Sequence, residues 1–192
     1  MALSALWASA GLPVEALARA TLTGQDPALP SSFAVGTVAQ ASFAAAALAA
    51  TEIGRVRNGL EQRISVDMRD AAIESCSAFT IDGVAPRVWD KLAGLYECRT
   101  GWVRLHTNFA HHRDGVLRLL GLPEGPETER AAVAAALGGW DAPAFEQVAT
   151  DAGMVVAALR TFEEWDAHPQ ASALSAQPLI AIERIGDAPP RT

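Results

Sequence analysis

The stretch from Phe33 to Thr51 has no charged residue and consists mostly of Ala, Ser, Thr and Gly, together with Gln40. This composition predicts a long helix from about residue 37 to residue 57, and Asn58-Gly59 is a typical pair for its C-terminal end. The stretch is long enough to span a bilayer, but it has few Leu, Ile or Phe, so membrane insertion would be only weakly driven. We therefore expect a buried helix in a soluble protein.

Shorter patterns lie on either side of this helix. Residues 2–22 predict one or two short helices with a break at Gly11-Leu12-Pro13, where the proline suits the first position of the second helix. After the long helix, Ile64-Ser65-Val66 alternates like a short strand. Asp67 can then cap a helix that continues to about Phe79.

The clearest strand pair lies between Trp89 and Gly121. Residues 95–97 and 102–107 are predicted to form a hairpin around a turn at residues 98–101. The second strand alternates apolar and polar positions, which is typical of a half-exposed strand. An amphipathic helix is expected to follow directly.

Beyond Gly121 the pattern alternates between helices and strands. Asp141 is an expected helix cap, and Thr161 and Glu164 have the spacing of a capping box. The expected elements are helices at residues 128–137 and 141–151, a strand at 154–159, a helix at 161–167 and a strand at 178–185. The predicted class is α+β: a long Ala-rich helix followed by a small domain with a short antiparallel sheet and flanking helices.

This order of elements divides the chain into four segments. N-terminal helices and a linker occupy residues 1–32, and a helical segment occupies residues 33–80. A small α+β domain covers residues 81–186, and residues 187–192 form a linker-like tail. Half of the 192 residues are hydrophobic, so the chain can bury a sizeable core.

The charge of the chain argues against two classes of partner. Its formal net charge is -7, whereas a nucleic-acid-binding domain needs a basic surface. An acidic surface also repels an anionic membrane. Cys76 and Cys98 are the only cysteines and lack metal-type spacing, and the N-terminus lacks the positive segment of a signal peptide. We therefore expect reduced thiols and a cytoplasmic protein.

Three of the four histidines lie at the corner between the predicted hairpin and the next helix. A zinc site would use three or four ligands in a fixed geometry, but adjacent histidines on a helix point about 100° apart, so we expect no metal. Two interpretations stay open. In the first, the histidines are simply polar residues at a strand-to-helix corner. In the second, Asn108 caps the helix and the cluster contacts an anionic ligand or a neighbouring subunit. The candidate contacts are His106, Asn108, His111, His112 and Arg113.

Familiar catalytic motifs are missing from the sequence. It contains no GxSxG elbow, no GxGxxG loop and no P-loop. A serine hydrolase of the usual kind and a self-contained nucleotide site are therefore not expected.

Several segments occur in an order that is typical of one enzyme family. They are a glycine turn before an Ala-rich helix, a Gly-Gln turn after it, a strand-to-helix segment, a hairpin with Tyr and Trp, and a strand, helix and proline near the end. In this chain they are VGT at residues 35–37, NGLEQ at 58–62, ISVDMRDA at 64–71, GLY at 94–96 with GWV at 101–103, and residues 153–170. Over about residues 31–186 the chain resembles the class III CoA-transferases, the family of the formyl-CoA and carnitine CoA-transferases.

The resemblance implies only the later part of that fold, so residues 33–80 resemble the end of the family's large domain. In the family, an Asp directly after the glycine attacks the thioester, and the preceding half of the fold supplies most contacts to CoA. The matching position here is Thr37. No catalytic residue is therefore assigned, no bound cofactor is assigned to this chain, and a coenzyme A thioester is the implied substrate.

The sequence is compatible with three functions. The resemblance implies a non-catalytic half or subunit of an acyl-CoA transferase, in a homo- or hetero-oligomer with a partner that carries the Asp nucleophile and the CoA site. The first alternative is an acyl-CoA isomerase or hydrolase that uses a histidine base. The second alternative is a ligand-free dimerisation module. Neither a nucleic acid nor a membrane is an expected partner.

Overall fold

The computed structural model describes residues 2–76, 79–183 and 185–187. The chain divides into two compact units. The first unit is Met1–Thr80 together with Ser175–Thr192, and the second unit is Ile81–Leu174.

The first unit combines helices with one pair of parallel strands. Its elements are α1 (Ala2–Ser9), a 3-10 helix (Val14–Arg19), β1 (Ala20–Thr23), α2 (Val35–Asn58), β2 (Ile64–Asp67) and α3 (Met68–Ser75). Strands β1 and β2 pair in parallel from Ala20 opposite Ile64 to Thr23 opposite Asp67. The core of the unit lies between α1, the 3-10 helix and α2, and it contains Leu3, Trp7, Ala16, Ala41, Ala44 and Leu48.

Helix α2 confirms the long helix that the Ala-rich stretch predicts. It ends as expected, because Gly59 has a φ of 68° and its N–H donates to the carbonyl of Arg55. The helix is buried along one face only: Ala44 and Leu48 are fully enclosed, whereas Val56 on another face is 76% exposed. No helix in the described part of the chain is long and apolar enough to cross a membrane.

Two predictions for the first unit need correction. The helical pattern expected through residue 22 is wrong at its end, where Ala20–Thr23 pairs with β2 as a strand; a parallel partner 44 residues away cannot be read from the local pattern. Asp67 caps α3 as predicted by accepting from the N–H groups of Arg69 and Asp70, but the helix ends at Ser75 rather than near Phe79. Residues 77 and 78, within the predicted helix, lie outside the described residues.

The second unit is a three-stranded antiparallel sheet covered by helices. Its elements are β3 (Gly94–Glu97), β4 (Trp102–Leu105), α4 (Ala110–Leu119), α5 (Arg130–Leu137), α6 (Ala142–Asp151), β5 (Val156–Ala158) and α7 (Phe162–Asp166); α8 (Pro169–Ser175) follows. The strand order is β3-β4-β5. The sheet and helices enclose a core that includes Val103, Leu105, Leu117, Val133, Leu137 and Phe145. The predicted α+β class, with its long helix and short antiparallel sheet, is confirmed.

The C-terminal predictions have mixed outcomes. The capping box of α7 is confirmed, because Thr161 and Glu164 each bond the other's backbone N–H. Asp141 occupies the N-cap position of α6, but its carboxylate makes no capping bond; it binds the side chains of Arg99 and Thr100 instead. The strand predicted at 178–185 is wrong, since residues 178–183 and 185 are irregular. Residues 184 and 188–192 of that strand and the tail lie outside the described residues.

Candidate functional site

The start of α2 holds the position at which the family resemblance expects a nucleophile. Thr37 lies in the first turn of this helix. Its backbone N–H donates to Oδ2 of Asp26 at 3.1 Å, and its hydroxyl donates to the same oxygen. Asp26 belongs to the loop between β1 and α2, so this loop is tied to the helix N-terminus through one carboxylate.

The Asp26 carboxylate is held in its charged form at this position. The hydrogen bond from the Thr37 hydroxyl is the main reason that the pKa of Asp26 lies below its ordinary value, although desolvation acts in the opposite direction. Its other oxygen, Oδ1, is buried and has no hydrogen-bond partner. A Cβ at Gly36 would lie 2.5 Å from this Oδ1 and 2.9 Å from Cγ of Met68, so only glycine fits there.

Further polar groups lie where β1 and β2 end. Thr23, the last residue of β1, donates from its hydroxyl to Oδ2 of Asp67 at 2.9 Å. The buried amide of Gln40 donates to the carbonyls of Thr23 and Val66, at 2.7 Å and 2.9 Å, so α2 is bonded to both strands. The carboxyl ends of parallel strands are the usual place for ligands in open α/β sheets. Here, the polar groups bond to one another.

Neither Asp26 nor Asp67 is suited to act as a proton donor. The pKa of Asp67 also lies below its ordinary value, mainly because Thr23 and the N–H of Asp70 donate to it. Both groups are therefore ionised near neutral pH and engaged by donors. Among the described residues, no group of three or more His, Cys, Asp or Glu side chains could hold a metal ion.

The predicted histidine cluster forms a compact patch of rings in the second unit. The ring centroids of His111 and His112 are 4.1 Å apart, and that of His106 lies 6.2 Å from His112. Trp89 and Phe109 contact the same rings although each is more than half exposed. The structure therefore brings all three histidines together.

His112 is partly enclosed by the other rings of the cluster. Desolvation lowers its pKa below the ordinary value, and the neighbouring His111 and His106 lower it further. Its Nδ1 atom is buried without a hydrogen-bond partner. The ring is therefore neutral at neutral pH, and protonating Nδ1 would leave a buried donor without an acceptor.

The other two candidate contacts have structural partners. Asn108 does not cap α4, because the N-cap position is Phe109; the Asn108 side chain instead accepts from the N–H of Asp90 and donates to the carbonyl of Val88. This corrects the predicted cap. Arg113 is only 15% exposed and bonds Asp114 at 2.9 Å. A contact role for these residues toward a ligand or subunit stays a prediction.

Arg104 is a member of this patch that the sequence reasoning did not single out. Its guanidinium lies 5.1 Å from the ring centroid of Trp89, and the residue is exposed. The alternation of β4 could have identified it, because Arg104 occupies the same face of the strand as Trp102.

Comparisons with known proteins relate this fold to one family. The sequence matches the family model described as CoA-transferase family III over residues 12–184. A search of curated proteins finds no significant match. Among solved structures, the chain resembles Rv3272 from Mycobacterium tuberculosis, described as a hypothetical protein, with 16% identity and a TM-score of 0.64; the match covers 87% of this chain and 52% of that one.

Two further solved structures match at the same sequence identity. A mutant of Rv3272 matches with 16% identity and a TM-score of 0.65, over 88% of this chain and 52% of that one. A CaiB/BaiF family protein from Brucella suis matches with 16% identity over 79% of this chain and 47% of that one, but its TM-score of 0.46 is too low to support an argument. The chain therefore spans about half the length of these solved relatives. At such identities the structural likeness concerns the fold alone, whereas the family model matches most of the sequence: the chain belongs to CoA-transferase family III.

Proposed function

We propose that the chain is a non-catalytic module of an acyl-CoA transferase that acts with a partner polypeptide carrying the nucleophilic carboxylate and the CoA site. In this proposal its substrate class is a coenzyme A thioester, and it works in the cytoplasm. Residues 33–80 form the end of a large domain that the partner completes, and residues 81–186 form the small domain.

The observation that carries the proposal is the parallel pair β1–β2. Among the residues that the structure describes, neither strand pairs with a third one, so each has an open edge. Parallel strands occur almost only in larger sheets, because isolated pairs bury too little apolar surface to be stable alone. An open edge is also a template for a strand from another polypeptide. These edges support a partner that extends the sheet.

The start of α2 supports the non-catalytic part of the proposal. A threonine occupies the position of the family's nucleophilic Asp, and a hydroxyl cannot form the mixed anhydride that a carboxylate forms. The group that accepts from this hydroxyl is Asp26, and its lowered pKa makes it a weak base. Asp26 itself has one oxygen bonded to Thr37 and the other buried. A nucleophile would need an exposed oxygen facing the thioester.

The test compares the purified chain with a reconstituted complex. The tagged chain is used to capture partners from its own cells, and a partner is accepted only if its sequence carries the complementary half of a CoA-transferase with a Gly-Asp loop. CoA transfer from an acyl-CoA donor to a free carboxylate is then measured for each chain alone and for the mixture. We expect transfer only in the mixture; enzymatic turnover by this chain alone contradicts the proposal.

A further inference from the structure

Four basic side chains at the corner between β4 and α4 have no acidic partner. They are Arg104 in β4, His106 directly after this strand, and His111 and His112 in the first turn of α4, and we call this group the histidine corner. In the described part of the chain, none of the four side chains forms a hydrogen bond or an ion pair. The whole chain has a formal net charge of -7, so a basic group without a carboxylate is a local exception.

The carboxylates that lie beside the histidine corner are engaged by other donors. Asp90 accepts from the hydroxyl of Thr107 at 3.0 Å. Asp114 accepts from the side chain of Arg113 at 2.9 Å. Thr107 and Arg113 each follow a histidine of the corner in the sequence. The negative charges of this region therefore bind neighbouring residues and leave the histidines unpaired.

The first turn of α4 adds backbone donors to the corner. Its N-cap residue is Phe109, whose side chain cannot accept a hydrogen bond. The first backbone N–H with an acceptor in the helix belongs to Arg113, which donates to the carbonyl of Phe109 at 3.0 Å. The N–H groups of residues 110–112 have no acceptor among the described residues. Every helix begins with such donors, and the histidines beside them distinguish this turn.

The buried Nδ1 atom of His112 determines where this ring carries its proton. Nδ1 has no hydrogen-bond partner. A proton on it would be a buried donor without an acceptor, so the neutral ring carries its proton on Nε2. Nε2 is not enclosed in this way and forms no bond to the described protein. His112 therefore offers an N–H donor to a ligand without becoming charged.

We propose that the histidine corner binds a phosphate group, as free phosphate or as the phosphate monoester of a small molecule. The N–H groups of residues 110–112 and Nε2 of His112 donate to the phosphate oxygens. The ring centroids of His111 and His106 lie 4.1 Å and 6.2 Å from that of His112, so both rings border the ligand. Arg104, whose guanidinium lies over Trp89, adds a positive charge beside His106.

The number of donors favours phosphate over a carboxylate. A carboxylate has two oxygens, whereas a phosphate monoester has three strong acceptor oxygens and a charge of about −1.5 to −2 at pH 7. The corner offers three backbone N–H groups in addition to its imidazoles. The site is independent of the proposed function, because it needs neither acyl transfer nor the partner polypeptide. CoA carries a phosphate monoester on its ribose and is therefore one source of the ligand.

An NMR titration of the full chain with inorganic phosphate tests the site at fixed pH, with the ionic strength held constant by sodium chloride. We expect saturable shifts of the imidazole resonances of His106, His111 and His112 and of the amides of residues 110–112, with a dissociation constant of about 5 mM. His168, which stacks on Trp165 away from the corner, is the internal control and should not shift. Shifts that do not saturate, or that are as large at His168, overturn the proposal.

Substitutions separate the specific donors from general charge. His112→Phe removes the Nε2 donor and should weaken phosphate binding about tenfold, whereas His112→Gln keeps an N–H donor and should weaken it by no more than about twofold. Arg104→Gln changes an exposed side chain and should weaken binding about threefold. Arg57→Gln is the matched control, since it removes one positive charge from α2 and should leave binding unchanged. Equal affinities of all four variants overturn the proposal.

Other ligands identify the source of the phosphate group. CoA that shifts the same resonances with about tenfold higher affinity than dephospho-CoA marks the monoester of CoA as the ligand. Inorganic phosphate that binds more tightly than either marks free phosphate. Acetate that binds as tightly as phosphate overturns the proposal, because a carboxylate would then satisfy the same donors.

Discussion

The carboxylate of Asp26 accepts hydrogen bonds from both the backbone N–H and the hydroxyl of Thr37. The N-cap residue of α2, Ala34, has no side-chain acceptor. Asp26 therefore supplies the acceptor that an N-cap side chain normally provides, and its negative charge lies at the positive end of the helix dipole. Thr37 thus has a structural role in this chain.

The first prediction concerns the hydroxyl of Thr37. Thr37→Val keeps the shape of the side chain and the backbone N–H but removes the second donor to Asp26, so it should lower the free energy of unfolding. Thr37→Ser is the matched control, since it keeps the hydroxyl and should lower stability less. Urea titrations of the three proteins measure the difference. Equal stability of the Val and Ser variants would show that the hydroxyl bond contributes nothing.

The second prediction concerns the pH dependence of the same contact. The pKa of Asp26 is lower in the folded protein than its ordinary value of 3.8. The unfolded chain therefore binds a proton more readily, and the contribution of Asp26 is present above about pH 4 and lost as the pH falls through the folded pKa. Asp26→Asn should flatten this part of the stability profile between pH 6 and pH 3, measured by urea unfolding.

Other carboxylates also titrate in this range, so a control is needed. The pKa of Asp141 is lowered too, by the side chains of Arg99 and Thr100. Asp141→Asn should remove the contribution of Asp141 to the pH dependence of unfolding, while the contribution of Asp26 persists. Identical profiles for Asp26→Asn and the unmodified chain would contradict the account of Asp26.

The third prediction concerns Gln40, the polar side chain that bonds α2 to both parallel strands. Gln40 is 6% exposed, and its amide donates to the carbonyls of Thr23 and Val66. Gln40→Met keeps the approximate volume but leaves both acceptors without this donor, which costs about 1–3 kcal/mol for each that stays buried. Thermal unfolding should show a lower Tm for Gln40→Met.

A nearby exposed position provides the control for Gln40. Ser42→Met on the opposite face of α2 introduces the same residue without removing a buried bond, so the Tm should change little. A similar loss of Tm in both variants would mean that methionine itself, rather than the missing amide, is responsible.

The sequence predicts the elements whose signals are local. The Ala-rich composition of α2, the glycine that ends it, and the capping groups Asp67 and Thr161 all act within a few residues, so their pattern is visible in one stretch of chain. Strand β1 has no such signal, because its four residues are ordered by a partner beyond α2. The prediction of a strand at residues 178–185 was wrong for a related reason. The apolar pattern is present there, but no neighbouring strand among the described residues pairs with it.

The candidate sites show the same limit. The spacing of His106, His111 and His112 indicates that they lie at one corner, and the structure brings their rings together. The sequence gives no sign that Asp26 contacts Thr37, because the contact depends on the path of the loop after β1. Asn108 illustrates the opposite error: its type and position are typical of a cap, but the carbonyl of Val88 and the N–H of Asp90 bind its side chain.

The fourth prediction concerns His112 and the stability of the second unit. Desolvation and the two neighbouring histidines lower the pKa of His112 below its ordinary value of 6.5. The folded protein therefore binds a proton less readily than the unfolded chain does. The contribution of the neutral ring is present above pH 6.5 and is lost as the pH falls through the folded pKa, so stability should decrease from pH 7.5 to pH 5.

The imidazole resonances of His112 and urea unfolding at several pH values measure this effect. His112→Gln should remove most of the decrease, because glutamine does not titrate. His168→Gln is the control: His168 stacks on Trp165, away from the cluster, and its replacement should leave the decrease in place. An NMR titration midpoint for His112 at or above 6.5 would contradict the account of a desolvated, neutral ring. The buried Nδ1 without an acceptor would then have to gain a partner on protonation, which requires the cluster to open.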